Sequence, residues 1–120
     1  MTRHNKNVGG LAEGLALKYL KNKGYRIIGQ NKQISHLEID ILANFKGKLV
    51  FIEVKSRINT SFEEIEDAMT SFKLKKLKRA INRYIYRRKI DPDCVQLDFV
   101  AVNLNYNTRI ANIKHFTAII

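Results

Sequence analysis

The sequence has one cysteine, one proline, no tryptophan and only 11 acidic residues in 120. Each scarcity excludes something. Cys94 cannot form an internal disulfide, and a cytoplasmic protein is expected. One proline and six glycines exclude collagen-like and low-complexity classes. No apolar run approaches ~18 residues, so no membrane-spanning helix is expected. The opening MTRHNKNVGG lacks the apolar stretch of a signal peptide. There is no internal repeat, no linker and no Gly-rich phosphate loop. Gly9-Gly10 precedes a helical pattern but lacks the rest of a P-loop.

What remains is a basic chain that can fold. Hydrophobic residues make up 45%, which excludes a disordered basic tail. At this length a single domain over residues 1–120 is expected, burying roughly two-thirds of the surface of the unfolded chain. The 22 Lys and Arg give a formal net charge of +11. Such a surplus suits a polyanionic partner, nucleic acid above all, because phosphates release counterions when Lys or Arg replaces them. A membrane surface fits poorly, since no segment joins a basic face to exposed Trp or a lipidation signal.

The periodicity predicts an α/β order of α-β-β-β-α-β-β. Leu11, Leu15 and Leu17 to Leu20, with Ala12 and Ala16 interleaved, predict a helix from about Gly10 to Lys23, capped by Gly24. Tyr25 to Ile28 reads as a short strand. Leu37 to Ala43 alternates, with Leu37, Ile39 and Ile41 on one face and Glu38 and Asp40 on the other. Asn44 to Gly47 suits a hairpin loop into a central, apolar strand from Leu49 to Val54. Ser61 and Glu64 fit a capping box for a short helical turn. A long helix follows from Thr70 or Ser71 to about Lys89, with Leu74, Leu77, Ile81, Tyr84 and Ile85 as its apolar stripe, and Asp91-Pro92 ends it. Gln96 to Val102 and Ile110 to Ile119 are the last strands.

The most informative residues are carboxylates in otherwise apolar strands. Glu38 and Asp40 interrupt Leu37-Glu38-Ile39-Asp40-Ile41, and Glu53 interrupts Val50-Phe51-Ile52-Glu53-Val54-Lys55. An unpaired buried carboxylate is costly. These groups therefore form ion pairs or line a cleft that holds a cation, and spacing alone leaves both open. Residues two apart on a strand share a face, so Glu38 goes with Asp40 and Glu53 with Lys55. If Ala43 lies opposite Lys48, Glu38 faces Glu53 and Asp40 lies diagonal to it. A register one residue out would separate Asp40 from Glu53. Clustered oxygens suit Mg²⁺, and an adjacent Lys55 suits orienting water or stabilising charge on phosphate.

The run Glu38-Ile39-Asp40-Ile41-Leu42, followed by Leu49 to Arg57 with its Glu53-Val54-Lys55, resembles the YraN-like uncharacterised family. That family is placed in the PD-(D/E)xK, restriction-endonuclease-like superfamily. Gly10-Leu11-Ala12-Glu13, Ala16, Tyr19-Leu20 and Gly24-Tyr25 resemble its opening helix. Asn31, Lys73 and Leu97-Asp98-Phe99-Val100-Ala101-Val102 extend the likeness over nearly the whole chain. Leu37 and Ala12 stand where the family usually has glycine. The resemblance implies a restriction-endonuclease-like αβββαβ core, a central mixed sheet flanked by helices. It implies a magnesium-dependent site, Mn²⁺ being able to substitute, with Asp40 and Glu53 as metal ligands and Lys55 as the catalytic lysine. Glu13 would be a further metal ligand, with Glu38 accessory.

Around that site, Arg57, Lys73, Lys76 and Arg83 are the expected nucleic-acid contacts, the last three on a long helix dense in Lys and Arg. Tyr84 and Tyr86 interleave with this charge, and Tyr84 also fits the apolar stripe. His4, His36 and His115 have no partners at metal-ligand spacing. Asp98 is expected to serve a structural hydrogen-bonding role. The leading expectation is a metal-dependent endonuclease acting on DNA or structured nucleic acid. Cleavage of a duplex or a junction would favour a homodimer. The alternative is a non-catalytic nucleic-acid-binding module that keeps the nuclease fold.

Overall fold

The computed structural model describes residues 3–120, with side chains from residue 8 onwards. The elements are α1 (Arg3–Asn22), β1 (Arg26–Ile34), β2 (Leu37–Phe45), β3 (Lys48–Ile58), α2 (Phe62–Asp67), α3 (Ser71–Arg88), a 3-10 turn at Pro92–Cys94, β4 (Val95–Asn105) and β5 (Ile110–Phe116). Among the described residues the five strands form one sheet in the order β1-β2-β3-β4-β5. All neighbours pair antiparallel except β3 and β4, which are parallel. Parallel neighbours need a crossover, and α2 with α3 supplies it. This mixed α/β sheet flanked by helices carries the restriction-endonuclease-like order expected from the sequence. No described helix is long and apolar enough to cross a membrane.

The helices cover opposite faces. Val8, Ala12, Ala16 and Leu20 recur every four residues and are buried against Ile41, Ala43, Val50, Ile52, Val100 and Val102. The buried stripe of α1 is thus led by alanines, and Leu11 is 53% exposed. Small side chains let the helix lie close to the sheet. Gly24, at φ 98°, turns the chain out of α1 in the left-handed region, and the Tyr25 amide donates to the Leu20 carbonyl.

On the other face, Leu77, Ala80, Ile81 and Ile85 of α3 pack on Ile39, Leu42, Phe51 and Leu97. Tyr84 joins them edge-on to Phe51, which settles it as part of the core. Ile65 of α2 caps Phe99 and Ala101. Thr70 Oγ1 accepts from the Lys73 amide and starts α3, so Lys73 sits in its first turn.

The first helix starts before Gly10, β1 runs on past Ile28 to Ile34, β5 stops at Phe116, and two expectations about β2 need correction. The β2–β3 turn is shorter than Asn44 to Gly47. Lys46 and Gly47 alone make it, with φ of 49° and 78°, as a two-residue hairpin turn requires. Phe45 therefore faces Lys48, where Ala43 was expected, and the register moves by two residues. Parity survives such a shift, so the shift by itself moves no side chain to the other face. Second, alternation along β2 breaks at Asp40. Ile39 is buried on the α3 side and Ile41 on the α1 side, although they stand two apart. The strand twists where the carboxylate sits.

Candidate active site

The last paired residues at this end of the β2–β3 ladder are Ile41 and Ile52. Asp40 and Glu53 come next on their strands, so the corrected register sets Asp40, rather than Glu38, level with Glu53. Asp40 Oδ2 accepts a 2.7 Å hydrogen bond from the Val54 amide. A side chain thereby continues the ladder that the backbone leaves off.

Glu53 is 7% exposed and is the most buried acidic residue of this region. Its Oε1 has two ammonium neighbours, Lys55 Nζ and Lys73 Nζ, each at 3.9 Å. At that distance they act as nearby charges rather than as hydrogen-bond donors. Burial and the negative charge of Asp40 push the Glu53 carboxyl up to about 7, against the pull of Lys73 and Lys55. A hydrogen bond with Asp40 also favours the protonated form. Lys73 is itself lowered, first by burial and then by Lys55 beside it.

Glu13, on α1, feels the charges of Asp40 and Glu38. Burial, then Asp40 and Glu38, raise its carboxyl, while a hydrogen bond from Asn31 works the other way. Its Oε1 is buried and has no hydrogen-bond partner. A buried polar atom without a partner costs about 1–3 kcal/mol, so this one marks a place that a cation or water would relieve. Glu38 is exposed and lines a cleft of about 390 Å³ with Leu37, Glu53, Phe72, Lys73 and Lys76.

Among the described residues, no three or more His, Cys, Asp or Glu side chains are placed together so as to hold a metal ion. The donor set suits a hard cation held more openly. Mg²⁺ is commonly bound through one or two carboxylates, with water and phosphate completing the octahedron. Asp40 and Glu53, next to one another at the end of the β2–β3 ladder, are two such carboxylates.

The remaining sequence candidates divide. Lys76 borders the cleft, and Arg83 lies further along α3, 3.4 Å from Ser35 Oγ. Arg57 is not brought to the carboxylates. It is exposed, donates to its neighbour Ser56 and borders a separate hollow with Val8 and Lys55. Asp98 is fully buried and hydrogen-bonded, as expected, and His115 is its partner. His36 lies beside Arg79 and Arg83. The side chain of His4 is outside the described residues. Phe72, 67% exposed at the cleft, was not singled out from the sequence. Its signal was spacing: it stands one helical turn before Lys76, whose ammonium lies 4.9 Å from its ring centre.

A family model, that of Uncharacterised protein family UPF0102, matches residues 12–102. The match spans every carboxylate and lysine of the cleft. A UPF0102 protein of Bacteroides thetaiotaomicron is 38% identical over 115 residues, covering 95% of this chain and 93% of its own length. Another from Alkaliphilus oremlandii is 34% identical over 111 residues, covering 92% of this chain and 95% of its own. One from Clostridium perfringens is 33% identical over 108 residues, covering 90% and 88%.

Proposed function

The chain belongs to Uncharacterised protein family UPF0102, and from its site we propose that it is a cytoplasmic, magnesium-dependent endonuclease acting on DNA. One observation carries this reading. Asp40 of β2 and Glu53 of β3 interact beside two lysines, and Glu13 of α1, which feels the charge of Asp40, keeps an oxygen buried without a partner. A purely structural ion-pair set would satisfy its own members. This one leaves an oxygen unsatisfied and a carboxyl raised to about 7.

Asp40 and Glu53 would hold the cation, with Glu13 contributing from the helix. Bound Mg²⁺ supplies Lewis acidity towards a phosphate oxygen and neutralises the carboxylates. Asp40 keeps its orientation through the Val54 amide. Lys55 shares the face of Glu53 and is 28% exposed at its side chain, so it can meet a phosphate or a water at the rim. Its ammonium stabilises negative charge that grows on the phosphate in the transition state. Lys73 holds Glu53 towards its charged form and offers a second cation to the substrate. The surplus of +11 draws the polyanion to the surface.

The test is cleavage of labelled single-stranded and duplex DNA with Mg²⁺, Mn²⁺ or a chelator. Cleavage should need the cation and should fall at least about 100-fold in Glu53→Ala and Lys55→Ala. A Glu53→Ala variant as active as wild type would overturn the mechanism. Absence of cleavage together with absence of carboxylate-dependent Mn²⁺ binding would leave a nucleic-acid-binding module.

A further inference from the structure

The exposed side of α3 has an order that a merely solvated face does not require. Phe72, Lys76, Arg79, Arg83 and Tyr86 stand at successive spacings of four, three, four and three residues. That spacing keeps them on one stripe of a helix. The stripe is cationic in its middle and aromatic at both ends. Phe72 is 67% exposed and Tyr86 is 85% exposed. No acidic residue occurs between Ser71 and Ile90.

The stripe also floors a groove over its first part and runs on as an open helix face. The carboxylate cleft shares Leu37 and Lys76 with a second hollow, walled on its other side by Ser35 and His36 of the β1–β2 turn. Beyond it, Arg79 and Arg83 lead onto an open, shallow face formed by α3 alone, which ends at Tyr86. The negative end of the groove is the site with Glu38 and Glu53, and the rest is positive. From Phe72 to Tyr86 the helix advances about 21 Å.

We propose that this groove is the track of a single DNA strand, which enters past Tyr86 and reaches the carboxylates past Phe72. The occupant follows from the chemistry. Cations spaced along a groove track phosphates, and exposed aromatic faces stack on bases. Bases of an intact duplex are already stacked and cannot use those faces. A duplex binder that only follows the backbone has no need of Phe72 or Tyr86. Phe72 sits at the cleft itself, so a base stacked there would hold the neighbouring phosphate near Glu53 and Lys55. This inference rests on the nuclease reading for the direction of the track, though not for its existence.

The full chain, in chelator, is titrated into fluorescently labelled oligo-dT, its duplex and oligo-rU, with anisotropy as the readout. Oligo-dT should bind most tightly. Phe72→Ala and Tyr86→Ala should each weaken it about 5- to 100-fold while changing duplex binding little. Phe72→Trp and Tyr86→Trp should restore the affinity, which loss of folding would not allow. Arg79→Gln should lower the salt slope by roughly one unit. Wild-type affinity in both alanine variants, or preference for duplex or for oligo-rU, would overturn the proposal. Binding as expected without cleavage under Mg²⁺ or Mn²⁺ would leave the track and remove the nuclease. Cleavage that needs Glu53 but ignores both aromatics would do the reverse.

Discussion

Asp40 spends one carboxylate oxygen on the backbone: its Oδ2 takes the Val54 amide at 2.7 Å, one residue beyond Glu53 on the adjacent strand. The side chain is therefore both a structural staple and a candidate ligand, and two substitutions separate these roles. In Asp40→Asn the amide oxygen can still accept from Val54, while the charge is gone. Stability should stay within about 1 kcal/mol of wild type. In Asp40→Ala the Val54 amide loses its acceptor, and a further ~1–3 kcal/mol should go. Both variants should lose Mn²⁺ binding in calorimetry. An asparagine variant that binds Mn²⁺ as wild type does would show that Asp40 is only the staple.

The raised carboxyl of Glu53 makes stability depend on pH in an unusual direction. Its folded value of about 7 lies above the ordinary 4.5, so the folded chain holds a proton that the unfolded chain has released. That contribution is complete below about pH 4.5 and is lost as pH rises towards 7, by up to roughly 1.4 kcal/mol per pH unit. Without metal, wild type should lose stability over this interval relative to Glu53→Gln, as read by denaturant unfolding at each pH. Added Mn²⁺ competes with the proton, so its thermal stabilisation should be larger at pH 8 than at pH 6. Carboxyl NMR should show the Glu53 midpoint falling in Asp40→Asn and rising in Lys73→Met, because Asp40 raises it and Lys73 lowers it. An unchanged midpoint in both variants would refute the electrostatic picture.

Much of this site was legible in the sequence, because its carboxylates interrupt apolar strands and cost too much to be there without a role. The face-sharing of Asp40 and Glu53 was legible too, since parity is insensitive to a two-residue slip. The slip itself was not. Asn44 and Phe45 look like loop residues beside Lys46-Gly47, yet the left-handed backbone at Lys46 closes the turn in two residues. The latter half of β1 was hidden for another reason. Gln30, Asn31, Lys32 and Gln33 are all exposed on an edge strand, so no alternation of apolar residues announces it. In α1, Ala12, Ala16 and Leu20 of the expected pattern face the sheet while Leu11 points outward, because close approach of a helix rewards small volume.

The Lys46-Gly47 turn deserves its own substitution, because it sets which carboxylate meets Glu53. Gly47, at φ 78°, has no heavy atom within 4 Å of where a Cβ would stand. Space is thus available, and only backbone strain opposes a side chain. Gly47→Val should cost about 1–2 kcal/mol in thermal unfolding, and Gly47→Asn much less, since asparagine tolerates the left-handed region. Equal losses in the two variants would mean that packing rather than backbone conformation fixes the turn.

Asp98, level with Ile52 in the parallel β3–β4 pairing and so one residue short of the level of Glu53, offers the largest effect on stability. It is 0% exposed, and its two oxygens take four donors. Tyr25 Oη lies at 2.8 Å, Gln96 Nε2 at 2.7 Å, the Ala118 amide at 3.0 Å and His115 Nε2 at 2.7 Å. The other ring nitrogen of His115, Nδ1, shares a 3.3 Å hydrogen bond with Tyr19 Oη. One carboxylate thus ties β4 to β5, to Tyr25 between α1 and β1, and to the C-terminal residues. Burial alone would raise its carboxyl, but the hydrogen bonds from His115, Ala118, Gln96 and Tyr25 outweigh it and hold the group below the usual 3.8. A lowered carboxyl contributes stability above its unfolded value and loses it as pH falls through the folded one. Acid unfolding below about pH 4 should therefore be steeper in wild type than in Asp98→Ala. At pH 7, Asp98→Ala should cost about 3–5 kcal/mol, because the donors stay buried without an acceptor. Tyr25→Phe alone should cost about 1.5–3 kcal/mol. The double variant should lose less than the sum, since Tyr25→Phe removes a donor that Asp98→Ala would strand. Strict additivity in that cycle, measured by denaturant unfolding, would show that the tyrosine and the carboxylate act independently.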